Sequence, residues 1–232
     1  MAHLSLKEVP RYIDISAVRT DVTYDEVRKI AHYARKYNFI CAFVMPCFTP
    51  MLKKELADCP TVKVGGVVGF PSGADTTSVK LQAAREAVAW GCDEIDMVIN
   101  VGALMSGDVD LVRNEVKAVK EVVGDTPLKA ILEVSCLTDE EIKAGAKAAM
   151  EGGVTFVKSG TGWKNATTLK HIQLMKEAVG DKCLIKAAGG VRDLATMEAM
   201  VDAGCTRFGI SLKSALNILK EASEREGVPF ED

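Results

Sequence analysis

The chain has 232 residues, 48% of them hydrophobic, and its 29 basic residues nearly balance its 32 acidic residues. This balance argues against a general nucleic-acid binder or a membrane-surface binder, because such proteins carry a basic patch or an excess of positive charge. No apolar run approaches the roughly 18 residues needed to cross a bilayer, and the first residues contain no signal-peptide core. We therefore expect neither nucleic acid nor membrane as a partner.

The seven cysteines are scattered without a C-x-x-C pair, and only three histidines are present. Free thiols are typical of a reducing compartment, so we expect a cytoplasmic protein. The short supply of histidine and the absence of paired cysteines disfavour a zinc site. The sequence therefore predicts no metal and no other cofactor.

Short segments rich in Val and Ile alternate with longer amphipathic segments along the chain. Near-continuous apolar strands indicate a parallel sheet covered on both faces. The predicted strands are Tyr12–Ile15, Ile40–Val44, Lys63–Gly69, Glu94–Asn100, Lys129–Val134, Thr155–Lys158, Leu184–Ala187 and Arg207–Ile210.

The segments between the strands carry helix start signals. Thr23–Glu26 and Thr138–Glu141 have the pattern of capping boxes, and Asp193 can cap the helix that follows it. No Pro/Ser/Gly-rich linker interrupts the pattern. We therefore predict a single domain over residues 1–232.

Eight strand–helix units of about 29 residues each match the length of βαβ crossover repeats. Eight such units most simply close into a (β/α)8 TIM barrel of the α/β class. A doubly wound open sheet is the alternative. That fold more often carries a G-x-G-x-x-G turn after its first strand, whereas here the first strand leads into residues 16–21, Ser-Ala-Val-Arg-Thr-Asp.

Catalytic groups of such barrels lie at the carboxyl ends of the strands. The predicted strands bring Asp14, Asp96, Glu133, Lys158 and Lys186 to those ends. We therefore expect two lysines and three carboxylates to converge at one end of the barrel.

Three other polar residues belong to the same strands. Asn100 is an even number of residues from Asp96, which predicts that both side chains lie on one face of strand 4. Lys63 and Lys129 lie near strand starts, where the same reasoning predicts a structural role.

Lys158 and Lys186 end neighbouring strands, which lie about 4.8 Å apart in a sheet. Repulsion between two ammonium groups and burial both lower the pKa of a lysine. A neutral amine can attack a carbonyl and form a Schiff base, for which Asp96 is the candidate proton carrier. The alternative is that both lysines are solvated or paired with carboxylates. The residues alone leave both interpretations open.

Glycines after strand 7 predict an anion site. Gly189 and Gly190 precede a helix start, where exposed N–H groups bind anions, and barrels often hold phosphate after strands 7 and 8. Arg192 could pair with the anion, and Gly209 and Ser211 offer further donors. The alternative is that these glycines only form tight turns.

Four motifs, "EIDMVINVGAL", "FVKSGTGW", "IKAAGGVR" and "RFGIS", occur here in an order and spacing that resemble the deoxyribose-phosphate aldolase family. The similarity covers nearly the whole chain, from "YIDIS" to the last helix. It implies a class I, Schiff-base aldolase of carbohydrate catabolism on a TIM barrel. Such an enzyme reversibly cleaves 2-deoxy-D-ribose 5-phosphate to acetaldehyde and D-glyceraldehyde 3-phosphate without a metal.

The resemblance also assigns roles to residues. It implies that Lys158 forms the Schiff base, that Lys186 is the neighbouring amine, that Asp96 relays protons and that Asp14 supports the site. The residues that it places around the phosphate are Gly162, Gly189, Gly190, Gly209 and Ser211.

The chain departs from the family pattern near the phosphate. Trp163 stands where the family typically has a lysine, and Leu212 stands where it usually has a second serine. Strand 2 also reads Phe43–Pro46, "FVMP", in place of the usual Cys-Val-Asn-Pro. These departures leave open a substrate tail that is less charged, differently placed, or bound by Arg192 and Lys213.

Other functions remain possible on the sequence alone. A related Schiff-base lyase could act on another sugar or on a sugar acid, and a non-catalytic barrel could use the two lysines to hold an anion. A metal-dependent aldolase is disfavoured by the three histidines. In each case the expected ligand is a small molecule. A homo-oligomer is possible, although the sequence shows no interface signal.

Overall fold

The computed structural model describes residues 2–230. Within this range, eight parallel strands close into a barrel in chain order. The predicted (β/α)8 barrel is confirmed, and the open doubly wound sheet is wrong. The strands are β1 Ile13–Ala17, β2 Cys41–Val44, β3 Lys63–Val68, β4 Glu94–Val98, β5 Leu128–Ile131, β6 Phe156–Lys158, β7 Leu184–Ala188 and β8 Arg207–Ser211.

Helices follow the strands and cover the outside of the barrel. They are α1 Tyr24–Tyr37, α2 Thr49–Glu55, α3 Thr77–Ala89, α4 Val101–Met105, α5 Val109–Val123, α6 Asp139–Glu151, α7 Leu169–Val179, α8 Leu194–Asp202 and α9 Leu212–Glu226. Short 3-10 turns cover Val9–Tyr12, Pro46–Phe48 and Val134–Cys136. None of the helices in residues 2–230 is long and apolar enough to cross a membrane.

The predicted helix starts are confirmed. Capping boxes begin α1 at Thr23 and α6 at Thr138, where the threonine side chain and an acid three residues later satisfy free backbone N–H groups. The Asp193 carboxylate accepts a hydrogen bond from the Thr196 N–H at the start of α8. These caps set where each connection enters its helix.

Strand β4 shows how the barrel separates apolar and charged residues. Ile95 and Met97 are fully buried in the main apolar core, whereas Glu94 and Asp96, also buried, make ion pairs across the barrel interior. Successive side chains of a strand point to opposite faces. Both faces are buried, which explains why the strands read as continuous apolar runs with isolated charges.

The prediction for Asn100 is wrong. Strand β4 ends at Val98, and Asn100 instead caps α4, where its side-chain oxygen accepts a hydrogen bond from the Ala103 N–H. The chain leaves the sheet before the alternation can reach position 100, so Asn100 does not share the inner face with Asp96.

Candidate active site

Asp96 lies at the centre of a buried charged cluster inside the barrel. Its Oδ2 accepts hydrogen bonds from Lys158 Nζ at 2.8 Å and from Lys186 Nζ at 2.7 Å. Its Oδ1 accepts a third from Lys129 Nζ at 2.9 Å. A carboxylate that neutralises several amines at once can be buried because its charge is paired and hydrogen-bonded.

The register of the sheet brings the two predicted lysines together. Lys158 on β6 is directly opposite Lys186 on β7, and both are buried. Because both amines contact the same oxygen of Asp96, they are close neighbours inside the barrel. The two amines therefore lie side by side, as expected for lysines on neighbouring strands.

Asp14 joins the cluster from β1. Its Oδ2 lies 2.6 Å from Lys186 Nζ, and its Oδ1 accepts a hydrogen bond from Arg207 Nη1 at 2.7 Å. The structure thus places Asp14 next to the second lysine. The first lysine, Lys158, contacts Asp96 instead.

The third carboxylate of the cluster is Glu94, so the expectation that Glu133 would fill this place is wrong. Glu94 Oε2 lies 2.6 Å from Lys129 Nζ and 3.0 Å from Arg207 Nη1. Glu133 points to the β6 loop, where its Oε2 accepts a hydrogen bond from Thr161 Oγ1 at 2.5 Å. Glu133 has a left-handed backbone with φ of 56°, which lies outside the extended conformation that continues a strand.

Lys129, Glu94 and Arg207 form a layer that sequence reasoning missed. Lys129 was expected to be only structural because it lies near the start of its strand. Its register partner on β4 is Asp96, so the stagger of the strands places it level with the site. Strand alternation offered one signal, since Glu94 is two residues before Asp96 and Arg207 two before Gly209.

Positive charges outnumber negative charges in this cluster. Four buried basic side chains, Lys129, Lys158, Lys186 and Arg207, face three carboxylates, Asp14, Glu94 and Asp96. The partly exposed Lys63 adds a fifth cation, because its Nζ lies 2.7 Å from Glu94 Oε1. This excess of positive charge favours the loss of a proton from one of the amines.

Lys158 loses its proton more easily than an ordinary lysine, because its pKa is lowered. Burial lowers the pKa of Lys158 to about 8, and repulsion from Lys186 and Lys129 acts in the same direction against the opposing attraction of Asp96. At pH 7 a pKa near 8 leaves roughly one amine in ten neutral, compared with about one in 2,500 for an ordinary lysine. The site therefore holds a reactive amine at neutral pH.

The carboxylates of the cluster remain ionised. Burial alone would raise the pKa of Asp96, but Lys129, Lys158 and Lys186 hold it well below its usual value. The pKa of Asp14 is likewise lowered to about 2, because its neighbouring cations outweigh burial. Asp96 is thus ionised at neutral pH, which is the protonation state that a proton acceptor requires.

An aromatic ring packs against the amines. Lys186 Nζ lies 4.4 Å and Lys129 Nζ lies 4.8 Å from the centroid of the Phe43 ring. Gly65 makes room for this ring, because a Cβ at position 65 would lie 2.1 Å from it. The glycine at position 65 of β3 therefore allows the Phe43 ring to pack closely against the strand.

A narrow cavity lies above Lys158 and Lys186. A second cavity, here called the outer cavity, opens next to the cluster and has a volume of about 240 Å³. Thr161 and Gly209 line both cavities. The predicted substrate residues that line the outer cavity together are Gly162, Gly189, Gly190, Arg192, Gly209 and Ser211. Lys213 lines a different groove beside α9.

Trp163 forms one wall of the outer cavity. Its indole Nε1 donates a hydrogen bond to the Val18 carbonyl at 2.8 Å, and its ring meets Phe70 edge to face at 6.0 Å. The tryptophan therefore ties the β6 loop to the β1 loop across the opening of the barrel.

Comparison with known proteins decides the family. The family model described as "DeoC/LacD family aldolase" matches residues 13–212. The chain belongs to this aldolase family. The match includes every residue of the charged cluster and of the outer cavity except Ser214.

Several known proteins of similar sequence or structure match this chain over most of its length. A protein of Sinorhizobium medicae named deoxyribose-phosphate aldolase is 42% identical over 227 residues, which cover 97% of this chain and 92% of that protein. The solved structure of an aldolase called QR15 is 32% identical with a TM-score of 0.87, covering 94% of this chain and 97% of its own. A tetrameric deoxyribose phosphate aldolase of Aeropyrum pernix is 26% identical with a TM-score of 0.83, covering 97% and 94%.

One group of donors in this aldolase could be mistaken for a metal site. Ligand atoms of Asp14, Cys41 and Glu94 lie within 4.8 Å of one another. Lys129 and Arg207 already pair with both carboxylates, and burial raises the pKa of the Cys41 thiol well above its usual value. A protonated thiol beside two neutralised acids does not fit a divalent cation.

Proposed function

We propose that this chain is a deoxyribose-phosphate aldolase, a carbon–carbon lyase that uses a Schiff base on Lys158. It reversibly cleaves 2-deoxy-D-ribose 5-phosphate to acetaldehyde and D-glyceraldehyde 3-phosphate. The observation that carries this proposal is the buried Lys158 amine, 2.8 Å from the Asp96 carboxylate, with its pKa lowered to about 8. Its relatives with this name support the choice of substrate.

Imine formation is the first step. The neutral Nζ of Lys158 attacks the aldehyde carbon and forms a carbinolamine, whose hydroxyl must then leave as water. The Lys186 ammonium can donate the proton that this leaving group needs, because it lies beside the same Asp96 oxygen as Lys158. Asp96 accepts the proton released from the Lys158 nitrogen, directly or through a water molecule.

The imine then serves as an electron sink. In cleavage, the hydroxyl proton on the third carbon of the sugar is removed, the bond between the second and third carbons breaks, and its electrons form an enamine on Lys158. Protonation of the enamine carbon and hydrolysis release acetaldehyde and free the amine. In synthesis the enamine attacks the acceptor aldehyde, and Asp96 and Lys186 move the same protons in reverse.

The phosphate of the substrate would lie in the outer cavity. Gly162, Gly189 and Gly190 have positive φ angles of 84°, 90° and 85°, which glycine adopts without a steric penalty. Backbone N–H groups in such turns form anion-binding concavities. Arg192 and Ser211 line the same cavity and supply a charge and a hydroxyl.

The remaining expectations complete the proposal. The chain acts as one domain over residues 1–232, in the cytoplasm, on a small sugar phosphate, with no nucleic acid among its partners. A homo-oligomer is part of the proposal because the Aeropyrum pernix relative is tetrameric.

Borohydride trapping tests this function. The enzyme is incubated with acetaldehyde, reduced, digested and mapped by mass spectrometry, with Lys158→Arg and the exposed Lys164→Arg as matched variants. We expect one adduct on Lys158, lost in K158R and kept in K164R. An adduct spread evenly over surface lysines would contradict catalysis and favour an anion-binding barrel. A panel of phosphorylated sugars, free sugars and sugar acids then identifies the substrate.

A further inference from the structure

The outer cavity contains two arginines and no acidic residue among the residues described. Arg192 comes from the loop after β7, and Arg19 comes from the loop after β1. The sequence motifs identified Arg192 but gave Arg19 no role. Since both arginines line one cavity, each requires an explanation.

The Arg19 side chain is held in place on two of its three nitrogens. Nε donates to Asp21 Oδ1 at 3.0 Å, and Nη2 donates to Glu26 Oε1 at 2.5 Å. Within residues 2–230, Nη1 makes no hydrogen bond or ion pair. A guanidinium carries its donors in a rigid fork, so fixing one edge also orients the free one.

Neighbouring groups hold this arrangement. Glu26 is itself fixed, because its Oε2 accepts a hydrogen bond from the Thr23 N–H in the capping box of α1. Val18, the residue before Arg19, accepts a hydrogen bond from the Trp163 indole at 2.8 Å. Arg19 and Trp163 therefore share the outer cavity on loops that are tied to each other.

We propose that Arg19 is a specificity-determining residue that binds the phosphate monoester of the acceptor aldehyde together with Arg192. This inference rests on the proposed function and extends it to a residue outside the recognised motifs. An arginine fork pairs well with phosphate oxygens. Trp163 supplies no charge at its position, so Arg19 is the second cation that the cavity offers to a dianion.

Acceptor preference tests the inference. For Arg19→Gln, we expect the ratio of kcat/KM for D-glyceraldehyde 3-phosphate to kcat/KM for unphosphorylated D-glyceraldehyde to fall about tenfold, which corresponds to about 1.4 kcal/mol. Arg19→Lys should fall between the wild type and R19Q, because it keeps the charge and loses the fork.

Arg28→Gln is the matched control. Arg28 is exposed on α1, pairs with Asp25 at 2.7 Å and does not line the outer cavity. The Arg28→Gln substitution removes the same charge as Arg19→Gln. Its ratio of kcat/KM for the phosphorylated acceptor to kcat/KM for the unphosphorylated acceptor should therefore equal that of the wild type. An R19Q ratio equal to that of R28Q, or an equal loss on both acceptors, would overturn the role of Arg19.

Trapping of acetaldehyde separates this inference from the proposed function. If wild-type Lys158 forms the reduced adduct while R19Q leaves the acceptor ratio unchanged, only the role of Arg19 fails. If wild-type Lys158 forms no adduct, the proposed function fails, whatever the acceptor ratio shows.

Discussion

Lys129 and Lys158 donate to the two oxygens of the same carboxylate, yet their pKa values move in opposite directions. Burial alone would lower the pKa of Lys129, but Asp96, Asp14 and Glu94 together raise it above its usual value. Burial lowers the pKa of Lys158 to about 8, and Asp96 is the carboxylate that it contacts. The number of carboxylates around each amine, and not burial alone, separates the fixed cation from the reactive amine.

This difference follows from depth in the barrel. Lys129 contacts Asp14, Glu94 and Asp96 and does not line the narrow cavity, while Lys158 lies at the carboxyl end of β6 and lines that cavity. The deeper cation keeps Asp96 ionised, and the upper amine can lose its proton to reach an aldehyde. In the proposed mechanism, Lys129 therefore supports the site and Lys158 carries out the chemistry.

Replacing the reactive amine should have the largest effect on turnover. Lys158→Met removes the only group in the proposal that forms the imine, so kcat should fall on the order of a thousandfold or more. Steady-state cleavage of 2-deoxyribose 5-phosphate measures this, with circular dichroism as a check on folding. A folded K158M enzyme with wild-type turnover would contradict the assignment.

Replacing the shared carboxylate should lower turnover less. Asp96→Asn keeps the shape but removes the proton acceptor, so kcat should fall about 10²–10⁴-fold. Without the attraction of Asp96, the Lys158 amine is easier to deprotonate, so the adduct with acetaldehyde should still form on Lys158. A loss of less than tenfold in kcat would show that another group carries the protons.

Replacing the fixed cation should mainly affect stability. Lys129→Met leaves Asp14, Glu94 and Asp96 short of a buried partner, so the free energy of unfolding should fall by about 3–5 kcal/mol. Urea denaturation measures this. The control is Lys53→Met, which breaks a partly exposed pair with Asp93 and should cost at most about 1 kcal/mol. An equal loss of unfolding free energy in K129M and K53M would show that the buried ion pairs of Lys129 stabilise the fold no more than a partly exposed ion pair does.

The sequence predicted most of the fold because its signals are local. Val- and Ile-rich strands, the capping boxes at Thr23 and Thr138 and the repeat length specify the barrel without knowledge of contacts. The convergence of Lys158, Lys186 and Asp96 was also predicted correctly, although only Lys158 is the last residue of its strand. Strand order is fixed once the barrel closes, so neighbours in sequence became neighbours in space.

The rest of the site depends on strand register, which the sequence does not reveal. Asp96 in the middle of β4 pairs with Lys129 near the start of β5, and Lys186 in the middle of β7 pairs with Arg207 at the start of β8. This stagger brings strand starts level with strand middles. Arg19 was missed for a different reason, since a loop position reveals its cavity only in three dimensions.

The pH dependence of imine trapping on Lys158 tests the central claim most directly. The initial rate of borohydride-trapped acetaldehyde adduct at Lys158 is measured by peptide mapping from pH 6 to 11, where the neutral amine is the reacting form. Because burial lowers the pKa of Lys158 to about 8, the rate should rise with pH and reach half its maximum near pH 8. A midpoint near the ordinary lysine value of about 10.4 would contradict the account.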